Sequence, residues 1–70
     1  MSIKQKAFMK QFMSEFMKLQ EDFYNPTESP HYWDELVSRA MDLINQNKTT
    51  DERQNMFCEN MVLAFLNTRQ

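Results

Sequence analysis

The sequence predicts an all-α protein, and three observations carry that prediction. The chain of 70 residues contains no glycine, few β-branched residues and many residues that favour helices, such as Met, Leu, Gln, Glu and Lys. Apolar residues recur at spacings of three and four, as they do on one face of a helix. Polar connections interrupt this pattern at residues 25–29 and near residue 48. We therefore expect a single domain over residues 1–70, built from three helices.

The first predicted helix, residues 3–24, is organised around a Phe-Met pair that occurs three times. Because a helix turns by about 100° per residue, the phenylalanines form one edge of the apolar face and the methionines form the other. Ser2 is available as the N-cap, and the helix ends at Asn25-Pro26 because proline cannot continue the hydrogen-bond pattern. The pairs lie four residues apart: Phe8-Met9, Phe12-Met13 and Phe16-Met17.

The second predicted helix, residues 30–47, begins with a serine cap followed by a proline. Ser29 suits the N-cap and Pro30 suits the first helical position, where its missing N–H has no helical partner in any case. Asp34 and Glu35 lie near the start, where carboxylates interact favourably with the helix dipole. The apolar residues recur at spacings of three and four and form a broad stripe: Tyr32, Trp33, Leu36, Val37, Ala40, Met41, Leu43 and Ile44.

The third predicted helix, residues 50–68, is apolar around most of its C-terminal half. Thr49 and Glu52 match a capping box, which predicts where the helix begins. A helix with such a broad apolar surface is either central to the fold or covered by another molecule. The expected central stripe is Phe57, Met61, Ala64 and Phe65, with Val62 and Leu66 beyond one edge and Met56 and Leu63 beyond the other.

The two short connections predict an antiparallel three-helix bundle with up-down-up topology. The first and third helices offer more apolar surface than such a bundle needs. We expect the excess to bind a second copy of the chain, because two-fold symmetry is the commonest closed assembly. The alternative is that these side chains complete the core of a monomer. The expected partner-binding residues are Met9, Met13, Met17, Val62 and Leu66.

Charge is unevenly distributed along this chain, whose formal net charge is −2. Four lysines and one glutamate lie in the first twenty residues, and the remainder is acidic. The simplest interpretation is a solvated helix face beside acidic helices. The alternative is a DNA-binding regulator that contacts phosphates through Lys4, Lys10 and Lys18 on the first helix. The third helix is a poor reader of DNA, because its early exposed positions are mainly acidic.

Residues that could carry chemistry are few. Cys58 is the only cysteine and His31 the only histidine, and the two lie on different predicted helices with no orienting third group. His31 and Glu35 are spaced to share a metal ion, but two ligands make a weak site. We therefore expect no catalytic site, no metal and no cofactor. A lone Cys in an apolar helix usually behaves as a small hydrophobic residue.

The segment from Met61 to Leu66 is the longest apolar run, and it is far shorter than the roughly 20 residues that span a bilayer. The first helix has the basic amphipathic pattern of membrane-surface helices, but two other helices can cover its apolar face. The N-terminal residues do not resemble a secretory signal, and the lone cysteine suits a reducing, cytoplasmic setting.

Methionine is unusually common in this chain, with seven among 70 residues. Its flexible, polarisable side chain adapts to different partners. The sequence therefore predicts a small non-enzymatic protein that acts through protein–protein contacts, as a regulator, adaptor or inhibitor, with itself as the first expected partner and a second protein as another.

Overall fold

The computed structural model describes all 70 residues and contains three α-helices and no strand. They are α1 (Ile3–Phe23), α2 (Pro30–Gln46) and α3 (Glu52–Arg69). The helices pack against one another in an elongated bundle with principal extents of 43 × 19 × 17 Å. The predicted all-helical fold and the number of helices are thus confirmed.

A single hydrophobic core joins the three helices. The Phe12 and Phe16 rings stack with centroids 5.7 Å apart, and Phe65 of α3 meets Phe16 edge-on at 6.3 Å. Each fully buried side chain of this size contributes about 1.5–3 kcal/mol relative to exposure. The phenylalanine edge of α1 is therefore the inward edge. The buried apolar residues are Phe12, Phe16, Leu19, Phe23, Leu36, Ala40, Leu43, Cys58, Val62, Phe65 and Leu66.

Serine caps begin the first two helices, as the sequence predicts. The Ser2 hydroxyl accepts from the Gln5 N–H, and the Gln5 side-chain oxygen accepts from the Ser2 N–H in return. The Ser29 hydroxyl accepts from the His31 N–H at 3.3 Å, directly before Pro30. These contacts satisfy backbone donors that have no partner inside the helix.

The start of α3 corrects the predicted Thr49 cap. Asp51 is the N-cap, and its carboxylate accepts from the backbone N–H groups of Arg53 and Gln54. Thr49 instead pairs with the side chain of Asn55, which accepts from the Thr49 N–H and donates to the Thr49 carbonyl. Several cap-forming residues occur together here, and the aspartate takes the cap because Asn55 holds Thr49 in the preceding loop.

Three side chains spread along α2 attach it to α1. The Tyr32 hydroxyl donates to the carbonyl of Phe23 at 2.6 Å, and Arg39 donates to Asp22 at 2.6 Å. Asn47, just beyond the end of α2, is the one buried polar residue. Its side-chain amide donates to Glu15 and to the carbonyl of Leu43, both at 2.8 Å.

Two hydrogen bonds between α1 and α3 join residues that are separated by the same number of positions in the chain. The Gln54 amide donates to the Met9 sulfur at 3.7 Å, and the Arg69 guanidinium donates to the carbonyl of Tyr24. In both pairs the α3 residue lies 45 positions after its α1 partner. Gln54 therefore lies beside Met9, and Arg69 lies beside Tyr24.

Candidate protein-binding surface

The residues that could carry chemistry do not form a site. Cys58 is buried in the core, and this burial raises the pKa of its thiol. A thiol whose pKa is raised carries little thiolate, which is the nucleophilic form. His31 is exposed in the first turn of α2. No three His, Cys, Asp or Glu side chains lie close enough together to hold a metal ion.

The methionine side of α1 is at the surface. Met13 is 41% exposed and Met17 is 55% exposed, whereas Met9 is half-buried. Each methionine follows a phenylalanine by one residue, so the methionines lie to one side of the buried phenylalanines. The hydrogen bond from Gln54 of α3 to the Met9 sulfur shows that this side is the one towards α3. Three of the five predicted partner-binding residues thus have accessible surface.

Val62 and Leu66 do not lie on that surface, and their predicted exposure is wrong. Val62 is fully buried and Leu66 is 8% exposed, both within the core. The C-terminal half of α3 carries apolar residues on most of its circumference, so its sequence does not indicate which side turns inward. The buried side is centred on Cys58, Val62 and Phe65, rather than on the expected stripe that included Phe57 and Ala64.

Met61 of α3 takes the place that sequence reasoning assigned to Val62. It is half-buried and packs against the core. In both contacts between α1 and α3, the α3 residue lies beside a residue 45 positions earlier in the chain. The same offset places Met61 beside Phe16, between Met13 and Met17, on the seam between α1 and α3. We call this surface the methionine edge, and it consists of Met9, Met13, Met17 and Met61.

Two lysines extend the methionine edge. Lys6, Lys10, Met13 and Met17 follow one another at spacings of four, three and four, so they form one stripe along α1. All four are exposed, and neither lysine forms an ion pair within the chain. The stripe is therefore basic at one end and apolar at the other.

A second exposed surface lies on the side of α3 that faces away from the core. Met56 is 61% exposed and Leu63 is 42% exposed, and Arg53, near the start of α3, is the one charged residue on this face. The charged residues of α3 lie near its ends or, like Glu59, to one side. We call this surface the outer face of α3, and its residues are Arg53, Met56, Phe57, Asn60, Leu63, Ala64 and Asn67.

The lysines considered for DNA binding do not form one compact patch. At 100° per residue, Lys4 and Lys10 point about 120° apart around α1. Lys18 is paired with Asp22 at 3.4 Å and borders a groove of about 470 Å³ that also contains Glu15 and Asp42. Acidic neighbours repel phosphates, so the geometry does not favour this alternative.

Asp22 is the centre of the charged cluster between α1 and α2. Its hydrogen bond with Arg39 lowers the pKa of the Asp22 carboxyl, and its interaction with Lys18 lowers it further, despite the opposing effect of desolvation. The Arg39 guanidinium also lies over the Phe23 ring, 5.1 Å from its centroid. This cluster is explained by its role in joining two helices and needs no ligand.

No helix here is both sufficiently long and sufficiently apolar to cross a membrane. Comparisons with protein-family models, with curated proteins and with solved structures found no match to this chain.

Proposed function

We propose that this protein acts without catalysis, by binding another protein through the methionine edge, as a regulator, adaptor or inhibitor in the cytoplasm. The observation that carries the proposal is the exposure of Met13 and Met17 beside a phenylalanine edge that is almost fully buried. A helix that covers its phenylalanines while leaving the adjacent methionines accessible offers an apolar surface to a partner.

The chemistry of the edge suits a helical or extended segment of a partner protein. Unbranched thioether side chains adjust to differently shaped apolar surfaces. The exposed amines of Lys6 and Lys10 continue the same stripe, so the fitting partner carries carboxylates next to its apolar residues. Apolar contact then supplies affinity, and the lysines favour acidic partners over basic ones.

The proposal also includes self-association and the up-down-up arrangement of the helices. The matching register of the two α1–α3 contacts supports a bundle in which these helices run the same way and α2 runs against them. Apolar side chains at the surface of α3 support association of two copies, because the free energy falls when Met56 and Leu63 are removed from water.

The test of the methionine edge compares two variants that change exposed methionines. Met13→Lys with Met17→Lys adds charge to the edge, and Met41→Lys makes the same change on α2, where Met41 is 47% exposed. Each protein is immobilised and exposed to lysate of the cells that produce it, and every retained protein is then purified and titrated.

We expect a partner that binds the wild type and Met41→Lys with similar affinity and binds the double variant at least about tenfold more weakly, since two apolar contacts are lost. Circular dichroism checks that both variants remain helical. A partner that binds the double variant as tightly as the wild type would contradict the proposal.

A further inference from the structure

Two cavities open along the seam between α1 and α3, and the methionine edge connects them. The first has a volume of about 510 Å³ and is lined by residues near the starts of both helices. The second has a volume of about 310 Å³ and is lined by residues further along both helices. Met9 lines the first cavity and Met61 lines the second. We call this surface the α1–α3 groove, and it includes the apolar residues Met9, Met13, Met17, Phe57, Met61 and Ala64.

The length and shape of the groove suit an α-helix. On α1 the first cavity is lined by Gln5 and Met9 and the second by Phe16 and Gln20. The midpoints of these pairs are about 11 residues apart, or ~16 Å at 1.5 Å per residue. A helix with apolar residues at i, i+4, i+7 and i+11 therefore reaches both cavities and contacts the methionines between them. The fold has no strand, so it offers no sheet edge to an extended segment.

Charge at the first cavity favours an acidic occupant. Arg53 lines this cavity from α3, and Lys6 and Lys10 each directly follow a residue that lines it from α1. None of these three cations forms an ion pair within the chain. Asp51 also lines the cavity, but its carboxylate accepts from two backbone N–H groups as the N-cap of α3. In a chain whose net charge is −2, this end of the groove is thus positive and complements carboxylates.

The second cavity carries less available charge. Arg69 lines it, but its guanidinium donates to the Tyr24 carbonyl and lies over the rings of Tyr24 and Phe65. Glu21, one turn beyond Met17 on the outer side of α1, opposes the positive charge at this end. Carboxylates of an occupant therefore gain most at the first cavity, and apolar side chains suit the rest of the groove.

We propose that the α1–α3 groove binds an acidic amphipathic helix of a different protein, which completes a four-helix bundle. The apolar stripe of that helix lies against the methionine edge, and its carboxylates lie beside Lys6, Lys10 and Arg53. This inference rests on the proposed function and deepens it, because it gives the partner segment a secondary structure, a spacing of apolar residues and a charge.

The first test measures the charge preference with synthetic peptides. The probe is an amphipathic helix of about 18 residues, with leucines at the spacings given above and glutamates near one end, and the matched peptide carries lysines in place of the glutamates. In fluorescence anisotropy we expect the wild type to bind the acidic peptide at least about tenfold more tightly than the basic one. Arg53→Glu should weaken binding of the acidic peptide at least about threefold. Equal binding of the two peptides would overturn the acidic occupant.

The second test locates the site with two neighbouring exposed residues of α3. Ala64 lines the second cavity, whereas Leu63 lines neither cavity and points about 160° away from Met61 around the helix. Ala64→Glu and Leu63→Glu each add one carboxylate, and circular dichroism checks that both variants remain helical. We expect Ala64→Glu to weaken the acidic peptide at least about tenfold and Leu63→Glu to weaken it less than about twofold. Equal effects would overturn the groove as the site.

The outcomes separate this inference from the proposed function. Peptide binding that is lost in Met13→Lys with Met17→Lys but kept in Ala64→Glu would overturn the groove and leave the methionine edge as the binding surface. If neither peptide binds at high micromolar concentration, the acidic helix is overturned, whereas the proposed function is still decided by the natural partner. Wild-type self-association that Ala64→Glu abolishes would identify a second copy as the occupant and would also overturn the inference.

Discussion

α2 and α3 have nearly the same length, 17 and 18 residues, yet they use their apolar side chains differently. α2 turns most of its apolar stripe towards the other helices, leaves Trp33 and Met41 exposed at the edges of that stripe, and presents carboxylates on its outermost side. α3 buries one side and also exposes Met56 and Leu63 on the opposite side. The difference teaches that a helix whose residues are sorted by polarity is largely completed by its own bundle, whereas an unsorted helix retains apolar surface for another molecule.

The sharpest test of this difference is one substitution made in both helices. Leu36 of α2 is fully buried, and Leu63 of α3 is 42% exposed. We expect Leu36→Ala to lower the free energy of unfolding by about 2–5 kcal/mol, because it leaves a cavity in the core. Leu63→Ala should cost less than about 1 kcal/mol in the monomer.

Urea denaturation at low micromolar concentration measures both values, since dilution reduces any contribution from association. Equal losses for the two variants would break the comparison, because they would mean that the outer side of α3 is as important to the monomer as the core side of α2.

The polar attachment of α2 to α1 provides the second test. Asn47→Ala removes the buried amide that contacts Glu15 and the Leu43 carbonyl. We expect a loss of about 1–3 kcal/mol, because the bond to the Glu15 carboxylate is lost, whereas the Leu43 carbonyl still accepts from the backbone N–H of residue 47. Thermal or urea unfolding measures the loss. The matched control is Asn45→Ala, which alters an exposed asparagine in the last turn of α2 and should have a smaller effect.

The start of α3 gives a third, smaller effect. Asp51→Ala removes the carboxylate that accepts from Arg53 and Gln54, and we expect it to cost about 1 kcal/mol. Thr49→Ala should cost less, since the two bonds between Asn55 and the Thr49 backbone remain. Urea midpoints rank the two variants. The opposite ranking would indicate that Thr49, rather than Asp51, is the N-cap of α3.

Acid unfolding offers the smallest expected effect and concerns the ion pair between Asp22 of α1 and Arg39 of α2. Arg39 lowers the pKa of the Asp22 carboxyl below its unfolded value. The folded state then binds fewer protons, so this stabilisation is complete above the unfolded pKa of about 4 and is lost as pH falls through the folded pKa.

Asp22→Asn should therefore flatten the decline of the urea midpoint below about pH 4. Asp42→Asn serves as its control, because Asp42 forms no ion pair in the structure. An unchanged decline in Asp22→Asn would show that the ion pair with Arg39 does not contribute to stability.

Sequence reasoning succeeded where a local rule was sufficient. Ser2 and Ser29 cap their helices because a hydroxyl reaches backbone donors within the next three residues, and this needs no tertiary contact. It failed at Thr49, where several cap-forming residues compete and Asn55 in the following helix decides between them. It also misplaced the buried side of α3: Phe65 is buried as expected and Met61 packs against the core, but Val62 lies inside while Phe57 and Ala64 are exposed.

By itself, the sequence determined that this chain is helical, where its helices break, and which edge of α1 turns inward. These properties follow from backbone hydrogen bonding, from proline, and from a periodicity that has only one apolar side. Only the tertiary structure decided which side of α3 is buried. An apolar residue gains free energy on any side that a neighbour covers, so the packing of α1 and α2, rather than the residues of α3, made that choice.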